Sequence, residues 1–370
     1  MRVTKPPIAL EMCLAGIVVA SAFGQQAART SQPQIVDGQL ETRAVANNLG
    51  STVQQIAGEA AQPLWIAYGV EEIAAERSVC CGNYNYSENV GCGTCRLEEG
   101  HGNTRGERRS GGTVKLERGG QLLVLLRVAD KHVMKIRLAS EDCTLDARGM
   151  PVVWLTGVKA EQSVELLVNY VQPEEMQPHG DRGMSEQALA AIALHASPAA
   201  DRALASWVAP TQPEGLRAKA SFWLGAARGE RGLLLLKQLA KSDPSPEVRT
   251  QVSFALYASQ EPSAVDEMIR IAHDDESAHV RGQALFWLGQ KAGKKAEGAV
   301  TGAIENDPDI EVKKRAVFAL SQMPKEEGVP KLIQVAETNK NPEVRRQAMF
   351  WLGESNDPRA LAFFEKVLSQ

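Results

Sequence analysis

A chain of 370 residues, 44% apolar and 23% charged with 31 Gly and 18 Pro, is long enough to bury substantial cores and is expected to form about two domains. Its 41 basic and 45 acidic residues leave a formal charge of −4, which gives no global field for a polyanion and disfavours nucleic acid as a partner. Beyond the N-terminus no apolar run approaches the ~20 residues needed to cross a bilayer, so no integral membrane span is expected once that segment is removed.

Met1, Arg2 and Lys5 precede an apolar stretch over residues 12–23, the layout of a secretory signal peptide. Ala20 and Ala22, or Ala22 and Gly24, fit a small-x-small cleavage site. The reading is a signal over residues 1–24, a mature chain starting at Gln25, and a periplasmic or secreted location. Residues 25–50 are polar, rich in Gln, Ala and Asn, and show no strong period. They read as a flexible leader.

Residues 51–171 read as a small α+β domain. Strand-like runs lie at residues 65–70, 121–128, 133–138 and 151–155. Val164, Leu167, Val168 and Val171 then make one helical stripe. Five cysteines fall in this domain: Cys80, Cys81, Cys92, Cys95 and Cys143. Clustered thiols in an exported chain point to disulfides, and their odd number leaves one unpaired or intermolecular. A four-thiolate zinc site using Cys80, Cys81, Cys92 and Cys95, and thiol redox chemistry at Cys92 and Cys95, stay open beside that reading. Residues 172–183 carry Pro173, Pro178, Gly180 and Gly183 and read as a hinge.

From residue 184 the sequence repeats. Phe222, Phe254, Phe286, Phe318 and Phe350 are each 32 apart, as are Leu224, Leu256, Leu288, Leu320 and Leu352. The basic series Arg217, Arg249, Arg281, Lys313 and Arg345 keeps the same interval. A second helix is in phase with these through Leu236, Met268, Val300, Leu332 and Phe364. Ser245, Ser277, Asp309 and Asn341 stand where helix N-caps belong, with Pro246 and Pro342 at the first helical position. Gly225, Gly289 and Gly353 are placed to end helices in left-handed caps. A weaker copy precedes these, with Ala188 and Ile192 in one helix and Leu204, Trp207 and Val208 in the other. Such pairs hide their apolar faces only by stacking on their neighbours. The expected fold is therefore mainly α, an α-α superhelix over residues 184–370 preceded by a small disulfide-containing α+β domain.

The run Asp307-Pro308-Asp309-Ile310-Glu311-Val312-Lys313-Lys314-Arg315-Ala316-Val317-Phe318-Ala319-Leu320 and its counterparts resemble the HEAT-like repeats also found in phycocyanobilin lyases. The resemblance implies that the turn residues Asp243, Asp275 and Asp307 and the basic series stabilise stacking of the repeats. The N-terminal part resembles the Cys-containing first domain of exported bacterial HEAT-repeat proteins.

Helices bearing the Phe series are expected to line the inner curve. At 100° per residue Phe254 falls about 140° from the centre of its helix's buried face. The five Phe residues, joined by Leu285, Val317 and Met349, are then read either as an apolar groove for a protein or peptide partner or as filling for the seam between adjacent helices. Trp223, Trp287 and Trp351 alternate with Ala255 and Ala319 in a core slot. There is no Gly-x-Ser-x-Gly, no phosphate-cradling loop and no His-Glu-x-x-His. His273 and His279 flank an acidic turn and read as a solvated loop, so neither a metal nor a cofactor is expected. The functional expectation is an exported, non-catalytic scaffold. The alternatives are a lyase-like ligand-handling protein and a thiol oxidoreductase.

Overall fold

The computed structural model describes residues 32–73, 78–81, 83–85, 93–98, 120–173, 183–291 and 293–369. The signal segment and Cys92 lie outside these, and for Cys80 only the backbone is described.

The N-terminal domain contains β1 (Gln34–Val36), β2 (Gln39–Ala44), α1 (Leu49–Glu59), β3 (Leu64–Glu71), β4 (Ser78–Cys80), β5 (Asn83–Asn85) and β6 (Thr94–Arg96). It continues through β7 (Gln121–Ala129), β8 (His132–Ser140), β9 (Thr144–Asp146), β10 (Pro151–Thr156) and α2 (Ala160–Val168). Its main sheet has the order β2-β10-β3-β7-β8, with β10 parallel to both neighbours and the rest antiparallel. The β7–β8 hairpin turns through Asp130 and Lys131, both at positive φ (50° and 62°), which matches the twist of the flanking strands.

The sheet is buried on both faces, which is why its strands read as continuous apolar runs. Leu64, Ile66, Tyr68 and Val70 point to the helices. Trp65 and Ala67 point the other way, into a second core with Leu123, Leu125, Val152 and Trp154.

The expected flexible leader is ordered from Gln34 onward. β1 lies beside β9 in a second small sheet, β1-β9-β6. β2 pairs with β10 along its whole length, and α1 is capped by Asn48, whose side chain accepts from the Ser51 N–H at 3.2 Å. β2 escapes a pattern-based reading because almost all its side chains are solvent-facing. Backbone hydrogen bonds rather than apolar alternation hold it at the sheet edge.

Twelve helices follow among the described residues. They are α3 (Met184–Leu194), α4 (Pro198–Trp207), α5 (Glu214–Ala227), α6 (Gly229–Ser242), α7 (Pro246–Ala258), α8 (Ala264–Asp274), α9 (Ala278–Lys291), α10 (Lys294–Asn306), α11 (Ile310–Gln322), α12 (Lys325–Thr338), α13 (Pro342–Glu354) and α14 (Pro358–Leu368). Odd-numbered helices stack on one another from α3 to α13, each closed by its even-numbered partner. Three of the expected N-caps are made by side chains: Ser245 accepts from Val248 N–H, Asp309 from Glu311 and Val312, and Asn341 from Glu343.

The glycines read as caps lie instead inside α5, α9 and α13. A Cβ on Gly225 would stand 2.1 Å from the Ala255 carbonyl oxygen, and one on Gly289 would stand 2.6 Å from that of Ala319. These glycines let consecutive layers touch backbone to side-chain-free backbone.

The turns carry a charge ladder. Arg217 grips the Asp243 carboxylate at 2.9 and 3.0 Å, Arg249 that of Asp275 at 2.8 and 3.1 Å, and Arg281 that of Asp307 at 2.7 and 3.0 Å. The same guanidinium also donates to a carbonyl in its own turn, Arg249 to Asp243 O and Arg281 to Asp275 O, both at 2.8 Å. Each carboxylate in turn accepts the N–H two residues on, at Ser245, Ser277 and Asp309. Where Asn339 replaces Asp, the preceding basic residue is Lys313, which donates to Glu305 O.

The expected hinge does not separate two bodies. One apolar cluster runs from Leu49 through α3 to Phe363. Ile73 N–H donates to Leu194 O at 2.8 Å and Ala196 N–H to Glu71 O at 3.0 Å, fastening the end of β3 to the end of α3. Gln172 N–H donates to Ser185 Oγ at 2.7 Å. Within this junction lies a buried polar chain. Tyr68 Oη and Ser163 Oγ are 3.0 Å apart, Ser163 Oγ and His195 Nε2 are 2.8 Å apart, and His195 Nδ1 meets Ala191 O at 2.6 Å. The carbonyl fixes the tautomer: Nδ1–H donates to Ala191, Nε2 accepts from Ser163, and Ser163 accepts from Tyr68. Arg228 seals the same loop by donating to Ala193 O, His195 O and Asp201.

Two stability predictions follow from these buried polar groups. Burial pushes the pKa of His195 down to about 4, against about 6.5 in an unfolded chain. Between those values the unfolded chain holds a proton that the folded chain does not. Stability is therefore complete above about pH 6.5 and declines as pH falls toward 4, by roughly 3 kcal/mol from this group. Denaturant unfolding across that window is expected to show a shallower slope for His195→Gln than for the natural chain. In the ladder, Asp275→Ala strands the buried Arg249 guanidinium and is expected to destabilise by about 3–5 kcal/mol. Asp275→Asn, which still accepts the Ser277 N–H, is expected to be milder in the same measurement.

Candidate partner-binding surface and cysteine cluster

The ladder sets layers so that residues 32 apart become neighbours, and the Phe series becomes a line of rings. Phe222 stacks on Phe254 with centroids 5.4 Å apart, and Phe286 on Phe318 at 5.8 Å. Trp and Tyr residues fill the alternate gaps. Phe254 meets Trp287 at 4.8 Å, Tyr257 meets Trp287 at 4.7 Å, Phe318 meets Trp351 at 4.7 Å, and Phe350 meets Trp351 at 4.9 Å. The rings run unbroken from α5 to α13. The offset and edge geometries are those aromatic pairs prefer, each contributing about 0.5–1.5 kcal/mol beyond area burial.

The first four Phe residues are half-buried, and Phe350 is exposed. They therefore fill the seam with one side of the ring and leave the other toward solvent. Leu285 and Val317, by contrast, are fully buried and do not reach a partner. A helix within a stack is buried against its own pair and against two neighbouring layers, so a position about 140° from one buried face lies on another. Met349, the equivalent residue in α13, is half-buried. Of the Trp residues read as core, Trp223 is buried, whereas Trp287 and Trp351 are half-buried members of the ring line. Tyr257 was not singled out in the sequence. It lies one turn after Phe254, and its counterparts at the 32-residue interval, Gly225, Gly289 and Gly353, are not aromatic.

Between α11 and α13 the line opens into a cleft of about 410 Å³ lined by Glu311, Lys314, Arg315, Phe318, Gln347 and Trp351. Lys314 is neutralised by Glu311 at 2.9 Å and Glu343 at 3.2 Å, and its hydrogen bond to Glu311 holds its pKa above the usual lysine value. Arg315 lays its stem over Gly282, where a Cβ would meet Arg315 Cδ at 2.5 Å. The indole N–H of Trp351 is buried without a hydrogen-bond partner. Sequence reasoning missed Arg315 because it falls outside the 32-residue basic series.

The cysteine cluster sits on the far face of the N-terminal sheet. Cys81 and Cys95 form a disulfide, packed with Cys143 against Trp65, Leu123 and Trp154. Cys143 is also disulfide-bonded. β6 points Cys95 inward toward Cys81, so Cys95 is not paired with Cys92 as a redox couple. Oxidised Cys81 and Cys95 are likewise not thiolate ligands for zinc. Among the described residues no cluster of His, Cys, Asp or Glu is arranged to hold a metal.

Residues 202–289 and 297–370 match the family model for HEAT repeats. Residues 202–370 are an array of HEAT repeats. No curated protein matches the chain. Among solved structures, the chain is similar to human deoxyhypusine hydroxylase in complex with glycerol, at 18% identity over 56% of this chain and 90% of that one with a TM-score of 0.29. It is similar to a chain from the complex of CpcE and CpcF of phycocyanin lyase from Nostoc sp. PCC7120, at 18% identity over 54% and 79% with a TM-score of 0.32. A chain from a structure of Kap95p bound to RanGDP matches at 18% identity over 53% and 30%, with a TM-score of 0.36. At these levels nothing of their activities transfers to this chain. No helix among the described residues is long and apolar enough to cross a membrane.

The disulfide closes a separation of 14 residues, for which chain entropy gives about 3 kcal/mol. Cys81→Ser/Cys95→Ser is expected to lower unfolding stability by about 2–4 kcal/mol. Dithiothreitol is expected to destabilise the natural chain to a similar or larger extent.

Proposed function

We infer that this HEAT-repeat chain is an exported, non-catalytic scaffold that captures a protein or peptide partner along its line of rings. HEAT arrays are surfaces for protein partners, because stacking produces an extended face with no enclosed site. The observation that carries the reading is the cleft at Phe318 and Trp351. There the half-buried rings of Phe318 and Trp351 and the Arg315 side chain line one cleft. Rings receive an apolar side chain, and a guanidinium donates two parallel hydrogen bonds to a carboxylate. The fitting ligand is an extended or helical segment with an acidic residue beside an apolar one. Export is supported by the signal-like N-terminus and by disulfides, which persist in an oxidising compartment.

Capture from extracts of that compartment is expected to yield a partner with the natural chain and to lose it with Phe318→Ser or Arg315→Glu. For Arg315→Glu, affinity is expected to fall on the order of tenfold or more by isothermal titration, with the thermal melt unchanged. A partner retained equally by both variants contradicts the reading.

A further inference from the structure

A three-ring cluster lies between α7 and α9, away from the Phe318 cleft. Centroid to centroid, Phe254 and Tyr257 are 6.3 Å apart, Phe254 and Trp287 4.8 Å, and Tyr257 and Trp287 4.7 Å. All three rings are half-buried, so they make a floor rather than a core. Phe286 meets Trp287 edge-on at 4.7 Å and stacks on Phe318 at 5.8 Å, which carries that floor on to the cleft between α11 and α13. A row of amides runs beside the rings. Gln251, Gln283 and Gln347 keep the 32-residue interval, with Arg315 occupying the same slot between the last two. Gln251 precedes Phe254 by three positions, and Gln283 precedes Phe286 by three and Trp287 by four, so each amide stands one turn from its rings on the same helical face. Gln251 and Gln283 are half-buried, and their side-chain amides have no hydrogen-bond partner among the described residues. At the other end of the cluster Lys291 donates to Leu256 O at 3.2 Å, to Tyr257 O at 2.6 Å and to Ser259 O. Its three protons are thereby spent, which leaves none for a ligand carboxylate. The cluster is an apolar floor edged by neutral amides, where the Phe318 cleft has a guanidinium.

An amide row beside rings suits a ligand backbone with unused carbonyls. An α-helix satisfies its carbonyls internally and gives the row nothing to hold. A β-strand leaves them free, but its side chains alternate between two faces. Packed helix axes stand about 8–10 Å apart, a span of about three extended residues, so a strand would turn opposite faces to successive layers. A polyproline II chain has three residues and about 9 Å per turn and no internal hydrogen bonds. It shows every layer the same face and leaves its carbonyls to the amides. We propose that the three-ring cluster receives a proline-rich segment of the partner in the polyproline II conformation, with Gln251 and Gln283 donating to its carbonyls. Phe254, Tyr257 and Trp287 receive the pyrrolidine rings, as aromatic-lined grooves do elsewhere. This rests on the reading of the ring line as a partner surface and names the conformation and residue type that the line selects. The Arg315 cleft lies two layers further on, about 16–20 Å away, which is about six residues of such a chain. The segment therefore carries its acidic residue about six positions from the proline held by the cluster.

The test titrates synthetic peptides into the full chain and reads binding by isothermal titration calorimetry. Each peptide is a proline run of increasing length with one glutamate at its N-terminal or its C-terminal end. For one of the two placements, affinity is expected to rise on the order of tenfold once the run reaches about six residues, and a glycine-serine run of equal length is expected to show no such step. Gln251→Met/Gln283→Met keeps the bulk and removes the donors, and is expected to weaken the longest peptide on the order of tenfold with the thermal melt unchanged. Tyr257→Ser is expected to weaken it similarly, and the amide variant remains decisive if Tyr257→Ser fails to fold. Arg315→Glu is expected to remove the advantage of the glutamate while an all-proline peptide still binds. Proline peptides that do not bind at millimolar concentration overturn the proposal, and so does binding indifferent to the loss of both amides. A helical acidic peptide that binds through Phe318 and Arg315 but ignores the glutamines overturns it while leaving the ring-line reading in place. An oligosaccharide held on these rings in preference to any peptide overturns both.

Discussion

Each guanidinium of the Arg217, Arg249 and Arg281 series is bonded to two turns at once, to a carbonyl of one layer and to a carboxylate of the next. Apolar packing between helices tolerates sliding by fractions of a turn, whereas a bidentate pair with both partners removed from water does not. The pairs are almost fully buried, with Arg249 and Asp275 side chains 6% and 4% exposed. Moving one layer against the next would strand a charge. The ladder therefore fixes the vertical register, and everything that depends on residues 32 apart becoming neighbours depends on it. The stacked rings and the glycine-to-carbonyl contacts at Gly225 and Gly289 are its consequences. Lys313 opposite Asn339 obeys the same rule from the other side, since the layer that lacks the carboxylate also lacks the guanidinium.

The repeat was legible because its periodicity is unbroken over residues 217–352 and its punctuation repeats with it. Pattern reading failed where burial comes from more than one direction. Leu285 and Val317 looked outward when only the contact with the paired helix was counted, yet the neighbouring layers bury them completely. The glycines looked like helix ends because glycine favours caps. Here the constraint is close approach, which one layer's sequence does not reveal without the carbonyl it meets in the next. β2 escaped for the opposite reason. A strand held by backbone bonds at a sheet edge needs no apolar period, so its sequence resembles that of a leader. The cysteine pairing depended on which strands cross beneath Trp65 and Trp154, and cysteine spacing carries no such information.

The junction between the two regions joins sequence, packing and specificity. α3 is nearly all small and apolar, with Ala188, Ala190, Ala191 and Ala193 buried, so it packs closely against α2, α5 and β8. A helix of such uniform surface has little to choose between rotational settings. The chain of Tyr68, Ser163 and His195 supplies the choice, because a turn of α3 by one position would leave three buried polar groups unpaired. Arg228 adds a second lock from α5, reaching the carbonyls at the end of α3. Polar groups thus orient the first layer where apolar contacts alone would not.

Nearly equivalent layers do not by themselves decide where the first of them is held. In this chain the first layer is closed by the sheet and locked by buried hydrogen bonds, while the outer face of α13 and α14 carries Phe350, Leu361 and Leu368. The rings form one continuous line across these layers. Phe222 abuts the buried Trp223, the first four Phe residues are half-buried and Phe350 is exposed. The cleft lined by Phe318, Trp351 and Arg315 lies between α11 and α13. The sheet domain closes the array at α3, and the Cys81–Cys95 disulfide lies on the opposite face of its sheet.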